Sequence, residues 1–428
     1  MRIQRISVKN LFGVFNHVIP LNTDERITII HGPNGFGKTI MLKMLDGFFN
    51  ARYADWRTTP FDEFRIDFTD GSWVNILPDT KIPQYIDVDF HQTAADQAIP
   101  ARILLEQLPE ESSFDDYPIV DVSVPKERFE SRGNFLSKRA SVQQSRDLEP
   151  QWLRDLKKSV NVHFVRTDRL LKMKGRDQDR TVAQPLPGYR AKLEWSVDRY
   201  AKQLTDTIQV ALAEYGEFSQ TLDRTFPRRI IEEPTSPTFS SQELQQKLRS
   251  LEEKREKLRS LGLLDDDQNE GALPPLEVKD THAINVLTIY VKDTEEKLGA
   301  LQDLAERIDI FTRIVNKRFL YKQMKVSREK GFFFSTLEGS PLQAHQLSSG
   351  EQHELILLYE LLFKATPDSL FLIDEPELSL HVGWQQQFLR DLQEITRISR
   401  IDVLIATHSP SIIHDRWDLT VELKGPLQ

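Results

Sequence analysis

The pattern of apolar and polar positions predicts strands and one helix at the start of the chain. Residues 1–21 alternate like two strands that meet at a turn near Phe12, and residues 64–76 alternate like a second hairpin. Residues 26–30 are an apolar run of strand length, and residues 40–45 continue as a helix. The chain therefore opens with a β-rich region that contains one strand–loop–helix unit.

The middle of the chain changes from an irregular to a helical pattern. Between residues 78 and 150, prolines and acidic clusters interrupt the short apolar runs, which predicts an irregular insertion. Residues 162–165 again have the pattern of a buried strand, and residues 189–215 have helical spacing. Leucines between positions 244 and 258 fall on one helical seam, and a return helix at 281–318 would pack against it.

The last part of the chain returns to strands that alternate with helices. Residues 319–338 alternate like a hairpin, and residues 351–362 repeat at helical spacing. A buried strand at 370–374, a helix at 384–395 and a strand at 403–406 follow. This order is typical of an α/β protein with a parallel sheet.

Composition limits the possible classes of protein and its cellular location. Hydrophobic residues make up 39% of the 428-residue chain, and no apolar run reaches the length that spans a membrane. The absence of cysteine excludes disulfides, thiolate metal sites and a cysteine nucleophile. The N-terminus lacks the apolar block of a signal peptide, so we expect a cytoplasmic protein without membrane contact.

The charge balance limits the way in which nucleic acid could bind. A net charge of −9 argues against a surface that is positive throughout. Local basic patches at 138–146, 166–180 and 318–330 remain candidates for nucleic-acid contact, although such clusters are more often solvated faces.

A phosphate-binding loop follows the strand at 26–30. Its residues fit the pattern G-x-x-x-x-G-K-[ST] in full: Gly32, Pro33, Asn34, Gly35, Phe36, Gly37, Lys38 and Thr39. The glycines let backbone N–H groups close around phosphates, Lys38 reaches the β and γ oxygens, and the Thr39 hydroxyl can ligate Mg²⁺. Together with Ile40, which continues the chain into the helix, these residues are the predicted ATP-binding loop.

Three further stretches carry residues for phosphoryl chemistry. Asp374 and Glu375 end a buried strand, which is where a phosphoryl-transfer enzyme holds its metal and its base. Ser348 and Gly350 lie in a turn at a helix N-terminus, where backbone N–H groups can bind an anion. His408 follows the strand next in line. An ordinary helix cap remains an alternative for Ser348, and the two roles are compatible.

This set of motifs resembles an ABC-type ATPase head, with the phosphate loop as Walker A, 347–351 as the signature and 373–376 as Walker B. The D-loop would be 377–381 and the H-switch 407–410. The resemblance implies that Ser348 and Gly350 contact the γ-phosphate of ATP bound to a partner head. It also implies that Asp374 holds Mg²⁺ through water, that Glu375 takes the proton of the attacking water, and that His408 contacts the γ-phosphate.

The opening residues 6–11 and the inserted helices resemble the branch that contains SMC, RecF and OLD-type ATPases. Three segments resemble the ATPase subunits of bacterial phage-defence systems, such as Septu-like and retron-associated ones. They are the sequence of 347–352, the pair Trp384-Gln385 and the tail at 415–423. The implied fold is an α/β P-loop ABC ATPase head with an N-terminal antiparallel β-layer, interrupted by a helical or short coiled-coil insertion.

The expected segments follow from this resemblance. They are a head N-lobe with Walker A (1–77), an irregular insertion (78–160), a head strand with a Q-loop-like segment (161–188), a helical hairpin insertion (189–318) and a head C-lobe with the remaining motifs (319–428).

Two positions depart from the family pattern. The family's Q-loop glutamine has no counterpart after the strand at 162–165, and the best-aligned residue is Asp168, which could also ligate Mg²⁺. Phe36 replaces the small residue usual between the Walker A glycines, which should crowd the loop while it leaves the phosphate-binding positions in place.

The resemblance favours an ATPase that pairs head to head on ATP, as a homodimer or higher even oligomer, and controls an effector in anti-phage defence. We find no TOPRIM segment after His408 and no H-N-H constellation, so we expect a separate nuclease subunit. A RecF- or SMC-like DNA-repair or DNA-structuring ATPase is the alternative. The long helical insertion argues against a transporter subunit, and a P-loop kinase would not need the signature.

Overall fold

The computed structural model describes residues 1–93, 98–105, 149–165, 196–232, 239–265, 281–378 and 380–425. They fall into two compact units. The first comprises Met1–Thr167, Thr366–Leu378 and Gln385–Gln428, and the second comprises Asp168–Ala365 and Ser379–Trp384. Asp168 and the predicted basic patches at 138–146 and 166–180 lie outside the described residues.

A six-stranded antiparallel sheet forms the N-terminal layer of the first unit. Its strands are β1 (Ile3–Leu11), β2 (Phe15–Pro20), β4 (Glu63–Phe68), β5 (Trp73–Pro78), β6 (Tyr85–His91) and β7 (Ile99–Leu104), in the order β2-β1-β4-β5-β6-β7. Both predicted hairpins are confirmed, with Ile6 opposite Ile19 in one and Ile66 opposite Val74 in the other.

The prediction that residues 78 to 150 are irregular is wrong for β6 and β7. In β6, Ile86, Val88 and Phe90 point into the core and alternate with polar residues, as a half-buried strand requires. In β7, Pro100 has no N–H to give to a ladder, and the strand is accordingly the edge of the sheet. The prolines and acidic residues that suggested irregular structure are compatible with strands at these positions.

A five-stranded parallel sheet forms the second layer of this unit. It contains β3 (Ile27–His31), β8 (Val162–Val165), β12 (Leu370–Asp374), β13 (Asp402–Ala406) and β14 (Thr420–Glu422), in the order β14-β3-β13-β12-β8. Its helices are α1 (Lys38–Phe49), α2 (Ala54–Thr58), α3 (Gln151–Ser159), α9 (Val382–Ser399) and α10 (Pro410–Ile413), of which α9 begins in the second unit. Because β3, β12 and β13 are parallel neighbours, their carboxyl ends meet at one edge.

The second unit combines long helices with a small antiparallel sheet. Its elements are α4 (Ser196–Glu232), α5 (Ser241–Ser260), α6 (Thr281–Gly299), α7 (Gln302–Arg318), β9 (Lys322–Ser327), β10 (Gly331–Thr336), β11 (Pro341–Leu342) and α8 (Ser349–Phe363). The predicted leucine seam is buried at Leu244, Leu251 and Leu258. The return helix, predicted as continuous, is broken after Gly299, and the buried Leu301 precedes α7.

The predicted fold class is confirmed by this architecture. An N-terminal antiparallel layer and a parallel sheet with a strand–loop–helix unit form an α/β head, and the helices of the second unit are inserted between its two ends along the chain. In the part of the chain that the structure describes, no helix combines the length and the apolar character that crossing a membrane requires.

Candidate functional site

The predicted phosphate loop connects β3 to α1. β3 is an apolar strand whose core residues are fully buried, and α1 begins at Lys38 directly after the loop. Gly37 is the N-cap in a left-handed conformation, and a Cβ there would lie 2.4 Å from Cδ2 of the buried Leu11. Because glycine has no capping side chain, the first turn of α1 presents backbone N–H groups that suit an anion.

Lys38 is buried and folded over its own loop. Its Nζ donates to the carbonyl oxygens of Gly32 at 2.7 Å and Pro33 at 3.0 Å, and lies 3.5 Å from Nδ1 of His408. Burial lowers the pKa of Lys38, and the carboxylates of Glu375 and Asp374 oppose that shift. The ammonium group therefore lies beside His408, the predicted contact of the γ-phosphate, and near the predicted metal ligand and base.

Thr39 and Asp374 are in direct contact at the carboxyl edge of the parallel sheet. The Thr39 hydroxyl donates to Oδ1 of Asp374 at 3.1 Å. Burial raises the pKa of Asp374, and the neighbouring carboxylate of Glu375 acts in the same direction. A hydroxyl and a carboxylate oxygen are ligands of the kind that Mg²⁺ takes, and a cation would relieve the unfavourable charge, so the residues present fit this metal.

Glu375 follows Asp374 in an uncommon backbone conformation. Its φ of 44° is in the left-handed region, and its N–H donates to the carbonyl of Ala406 at 2.8 Å. Its Oε1 lies 3.7 Å from Nε2 of His408, and both side chains are about one-third exposed. Left-handed non-glycine residues cost roughly 1–3 kcal/mol and are often found at functional sites. The observed geometry leaves the carboxylate next to the histidine and open to solvent.

Glu377 connects the loop after β12 to the loop after β13. Its carboxylate accepts hydrogen bonds from Oγ1 of Thr407 at 2.8 Å and from the backbone N–H of His408 at 2.9 Å. Its own carbonyl accepts from Nε2 of Gln385 at 3.3 Å. Glu377 was predicted only as part of the D-loop, and its contact with the His408 loop was not predicted. The available signal was a carboxylate two residues after the predicted catalytic pair.

Phe36 is accommodated by residues of the antiparallel layer. Its ring packs on Phe15 with centroids 5.0 Å apart, and Phe15 stacks on His17. The carbonyl of Phe36 accepts from Nε2 of the buried His17 at 2.9 Å, and burial lowers the pKa of His17. The bulky residue expected to crowd the loop is therefore held from the side of β2.

The remaining loop positions have different environments. Pro33, Asn34 and Gly35 form an exposed tip, and Ile40 packs partly buried against the core. The structure thus brings Lys38, Thr39, Asp374, Glu375 and His408 together, while Asp168 lies outside the described residues.

The signature residues belong to the second unit, where Ser348 is the N-cap of α8 and Gly350 is in its first turn. Ser348 Oγ accepts from the backbone N–H of Glu351 and donates to Oε2 of the same residue at 2.8 Å. The backbone N–H of Ser348 donates to that carboxylate as well, which completes a capping box. The predicted start of α8 is therefore stabilised by Glu351, the third residue of that helix.

The predicted basic patch at 318–330 is partly engaged within the second unit. Arg318 forms an ion pair with Glu354, Lys322 binds Glu351, and Arg328 lies 2.9 Å from Asp265. These contacts reduce the positive charge that the patch offers to a ligand.

Three comparisons relate the chain to known proteins. A family model described as an AAA ATPase domain matches residues 1–413. A search of curated proteins found no match. Among solved structures, similar chains include the Smc head domain of Pyrococcus furiosus with an extended coiled coil, bound to the C-terminal domain of ScpA, at 14% identity and a TM-score of 0.34.

That alignment covers 96% of this chain and 91% of the Pyrococcus furiosus chain. The SMC head domain of Thermotoga maritima is 9% identical, with the same two coverages and a TM-score of 0.32. An Smc head domain with a coiled coil and joint from Pyrococcus yayanosii is 12% identical over 96% of this chain and 93% of that one, with a TM-score of 0.30. Because the family model matches nearly the whole chain, the protein belongs to the AAA ATPase domain family.

Proposed function

We propose that this protein hydrolyses ATP with Mg²⁺ at the carboxyl edge of the parallel sheet. The observation that carries the proposal is the convergence of Lys38 and the Thr39–Asp374 pair with the neighbouring side chains of Glu375 and His408. A phosphate loop, a metal-ligand pair and a base at one strand edge are the parts that phosphoryl transfer to water needs.

Each residue has a role that its environment supports. Lys38 and the loop N–H groups would bind the phosphates, and Thr39 and Asp374 would hold the metal. Mg²⁺, when bound, neutralises charge on the β- and γ-phosphates. Glu375 accepts the proton of the attacking water, and its partial exposure leaves room for that water. Asp168 remains our proposed further metal contact in the Q-loop-like segment.

His408 contacts the γ-phosphate in this proposal, and Glu377 positions it. The backbone N–H of His408 and the hydroxyl of Thr407 are both bound to the Glu377 carboxylate, so the histidine loop cannot shift independently of the strand end at β12. A rigidly held contact of this kind favours orientation of the reacting groups.

The proposal extends to pairing of two heads. Ser348 and Gly350 of one copy would contact the γ-phosphate of ATP held by the phosphate loop of the other copy. Their positions at the N-cap and in the first turn of α8 support this role, because the amides of a helix N-terminus bind anions. The active species is then a homodimer or a higher even oligomer.

We further propose that the paired heads control a separate effector, a nuclease, in anti-phage defence. The support is the sequence similarity of residues 347–352 and 415–423 to ATPase subunits of phage-defence systems. The alternative is a RecF- or SMC-like ATPase that acts on DNA itself. The ion pairs of Arg318, Lys322 and Arg328 give that alternative less support than the sequence alone suggested.

Light scattering of the Glu375→Gln protein with Mg-ATP tests the proposal. Removal of the base should preserve ATP binding and stop hydrolysis, so the paired species should accumulate. The measurement is made on the protein alone and with the product of the neighbouring open reading frame. Lys38→Met serves as the control that should lose ATP, and Glu253→Gln changes an exposed carboxylate of α5.

The outcomes separate the two functions. An ATP-dependent doubling of mass that retains the neighbouring product supports an effector switch. Heads that pair on ATP, ignore the neighbour and hold DNA would favour the repair function. If Mg-ATP leaves the mass of the Glu375→Gln protein unchanged, the proposed trans role of Ser348 and Gly350 is wrong.

A further inference from the structure

The carboxylate of Glu351 lies at the start of α8, where the proposed function requires phosphate. Glu351 is only 9% exposed. Its Oε2 accepts hydrogen bonds from the N–H and the hydroxyl of Ser348, both at 2.8 Å. An anion that binds the Ser348 hydroxyl would therefore approach a negative group that is already in contact with that hydroxyl, and like charges at short range repel.

Lys322 of β9 supplies the opposite charge. Its Nζ lies 2.7 Å from Oε1 and 2.6 Å from Oε2 of Glu351, and its side chain is itself three-quarters covered. Burial acts to raise the pKa of Glu351, but hydrogen bonds from Lys322 and Ser348 hold the pKa below its usual value. The carboxylate is thus ionised at neutral pH and its charge is balanced by one lysine.

Other carboxylates of α8 have partners of their own. Glu354 forms an ion pair with Arg318 of α7, and Glu360 accepts from the hydroxyl of Tyr200 of α4 at 2.7 Å. Arg318 is thus engaged by a different carboxylate of the same helix, while Lys322 contacts Glu351 through both carboxylate oxygens. The contact between Lys322 and the capping carboxylate is therefore specific.

We propose that Lys322 is a positioning residue for the signature, which neutralises Glu351 so that Ser348 and Gly350 can receive the γ-phosphate of a partner's ATP. The inference rests on the proposed pairing of heads. It assigns a function in ATP-dependent assembly to a residue 26 positions before Ser348 that lies outside the ATPase motifs and within the basic patch at 318–330. Lys322 touches neither the nucleotide nor water in this scheme and acts only through Glu351.

The test compares variants in the Glu375→Gln background, where paired heads accumulate. Lys322→Met should weaken ATP-dependent pairing about 10- to 100-fold, because an uncompensated carboxylate remains beside the phosphate site. Binding of a fluorescent ATP analogue to the dilute, unpaired protein should stay the same, since the phosphate loop is untouched. Lys322→Arg keeps the charge and should pair like the parent.

The double variant Lys322→Met/Glu351→Gln tests whether Lys322→Met weakens pairing through the charge of Glu351 or through a change in structure. Glutamine at this position of a capping box can still accept from the helix N-terminus but carries no charge, so pairing should return to within about threefold of the parent. Higher ionic strength should also restore part of the pairing of Lys322→Met. Lys247→Met is the matched control, because it removes a lysine that binds Glu295 at 2.9 Å between α5 and α6.

Several results would overturn the inference. It fails if Lys322→Met pairs like the parent, or if Glu351→Gln alone pairs as poorly as Lys322→Met and the double variant is not rescued. Loss of the fold in Lys322→Met is checked by melting temperature, and the comparison then uses Lys322→Gln and the charge-neutral double variant. A Glu375→Gln parent that does not pair overturns the proposed function itself, and this inference with it, whereas a pairing parent isolates the role of Lys322.

Discussion

Asp374 in the first unit and Glu351 in the second are acidic groups with opposite environments. Asp374 accepts its hydrogen bond from a neutral hydroxyl, that of Thr39, and burial raises its pKa. Burial acts to raise the pKa of Glu351 as well, yet the hydrogen bonds from Lys322 and Ser348 outweigh it and lower the pKa. The direction of each pKa shift follows from the balance between burial and the hydrogen-bond donors around the carboxylate, which include a cation only at Glu351.

The two acids differ in the source of the positive charge that compensates each carboxylate. For Glu351 the compensating cation is part of the chain, so the carboxylate can stabilise the start of α8 in every state. For Asp374 the strongest local interaction is with a hydroxyl, and the positive charge of Lys43 does not offset burial, so a bound cation would make the ionised carboxylate more favourable. A buried acid with a raised pKa next to a phosphate loop is therefore the better marker of a ligand site.

The largest expected effect concerns the first unit. Glu375→Gln should lower ATP turnover about 10²- to 10⁴-fold, the usual contribution of a general base, while ATP binding is retained. Steady-state phosphate release and equilibrium nucleotide binding measure the two quantities, with Glu253→Gln as the control. Turnover above one-tenth of the unmodified protein would show that another group activates the water.

A smaller effect is expected when the positioning of His408 is weakened. In Glu377→Gln the amide cannot accept from both Thr407 and the His408 N–H as the carboxylate does, so the histidine loop loses one of its two anchors. We expect about a tenfold loss of turnover through misorientation, with little change in nucleotide affinity. Glu422→Gln, at an exposed position of β14, is the control, and equal turnover in the two variants would contradict the role of Glu377.

The smallest effects test the comparison of Asp374 with Glu351, because removal of each charge should change the melting temperature in opposite directions. In buffer without nucleotide or metal, Asp374→Asn should raise the melting temperature by about 2 °C, and Glu351→Gln should lower it by about 2 °C. The first change removes a carboxylate whose ionisation is unfavourable in the fold, and the second removes one whose ionisation is favourable. Thermal unfolding followed by circular dichroism provides the measurement.

The pH dependence of stability tests the sign of the contribution that each carboxylate, Asp374 and Glu351, makes to the free energy of unfolding. Because the folded pKa of Asp374 is raised, its ionised form costs stability above that pKa, and the cost disappears below the unfolded pKa. Because the folded pKa of Glu351 is lowered, its contribution is complete above the unfolded pKa and is lost as the pH falls through the folded pKa. Both differences from the unmodified protein should therefore shrink on acidification, and a difference that grows would contradict the assignment.

Much of the fold could be predicted because its elements have local signals. The strands β3 and β12 are short apolar runs, and the N-terminal hairpins alternate with period two. The errors have local causes too: the aspartates of β6 lie on its outward face, and Pro100 is tolerated in β7 because that strand is an edge. A sequence pattern does not reveal which strand will be the edge of a sheet.

Some features of the candidate site could likewise be predicted from local sequence, and others could not. The phosphate loop and the pair Asp374-Glu375 are contiguous motifs, so residue type and spacing alone indicate their chemistry. The crowding expected from Phe36 could not be assessed from sequence, because Phe15 and His17, which accommodate it, belong to the opposite layer and precede it by about 20 residues.

By itself the sequence determined the strand–loop–helix unit at Gly32 to Thr39, the acid pair at the end of β12 and the capped start of α8, since each depends on neighbouring residues and their spacing. Only the tertiary structure decided that Glu377 holds His408 and that Lys322 neutralises Glu351. These contacts join residues 31 and 29 positions apart. They exist because strand order and side-chain direction bring the residues together, and no local pattern encodes that order.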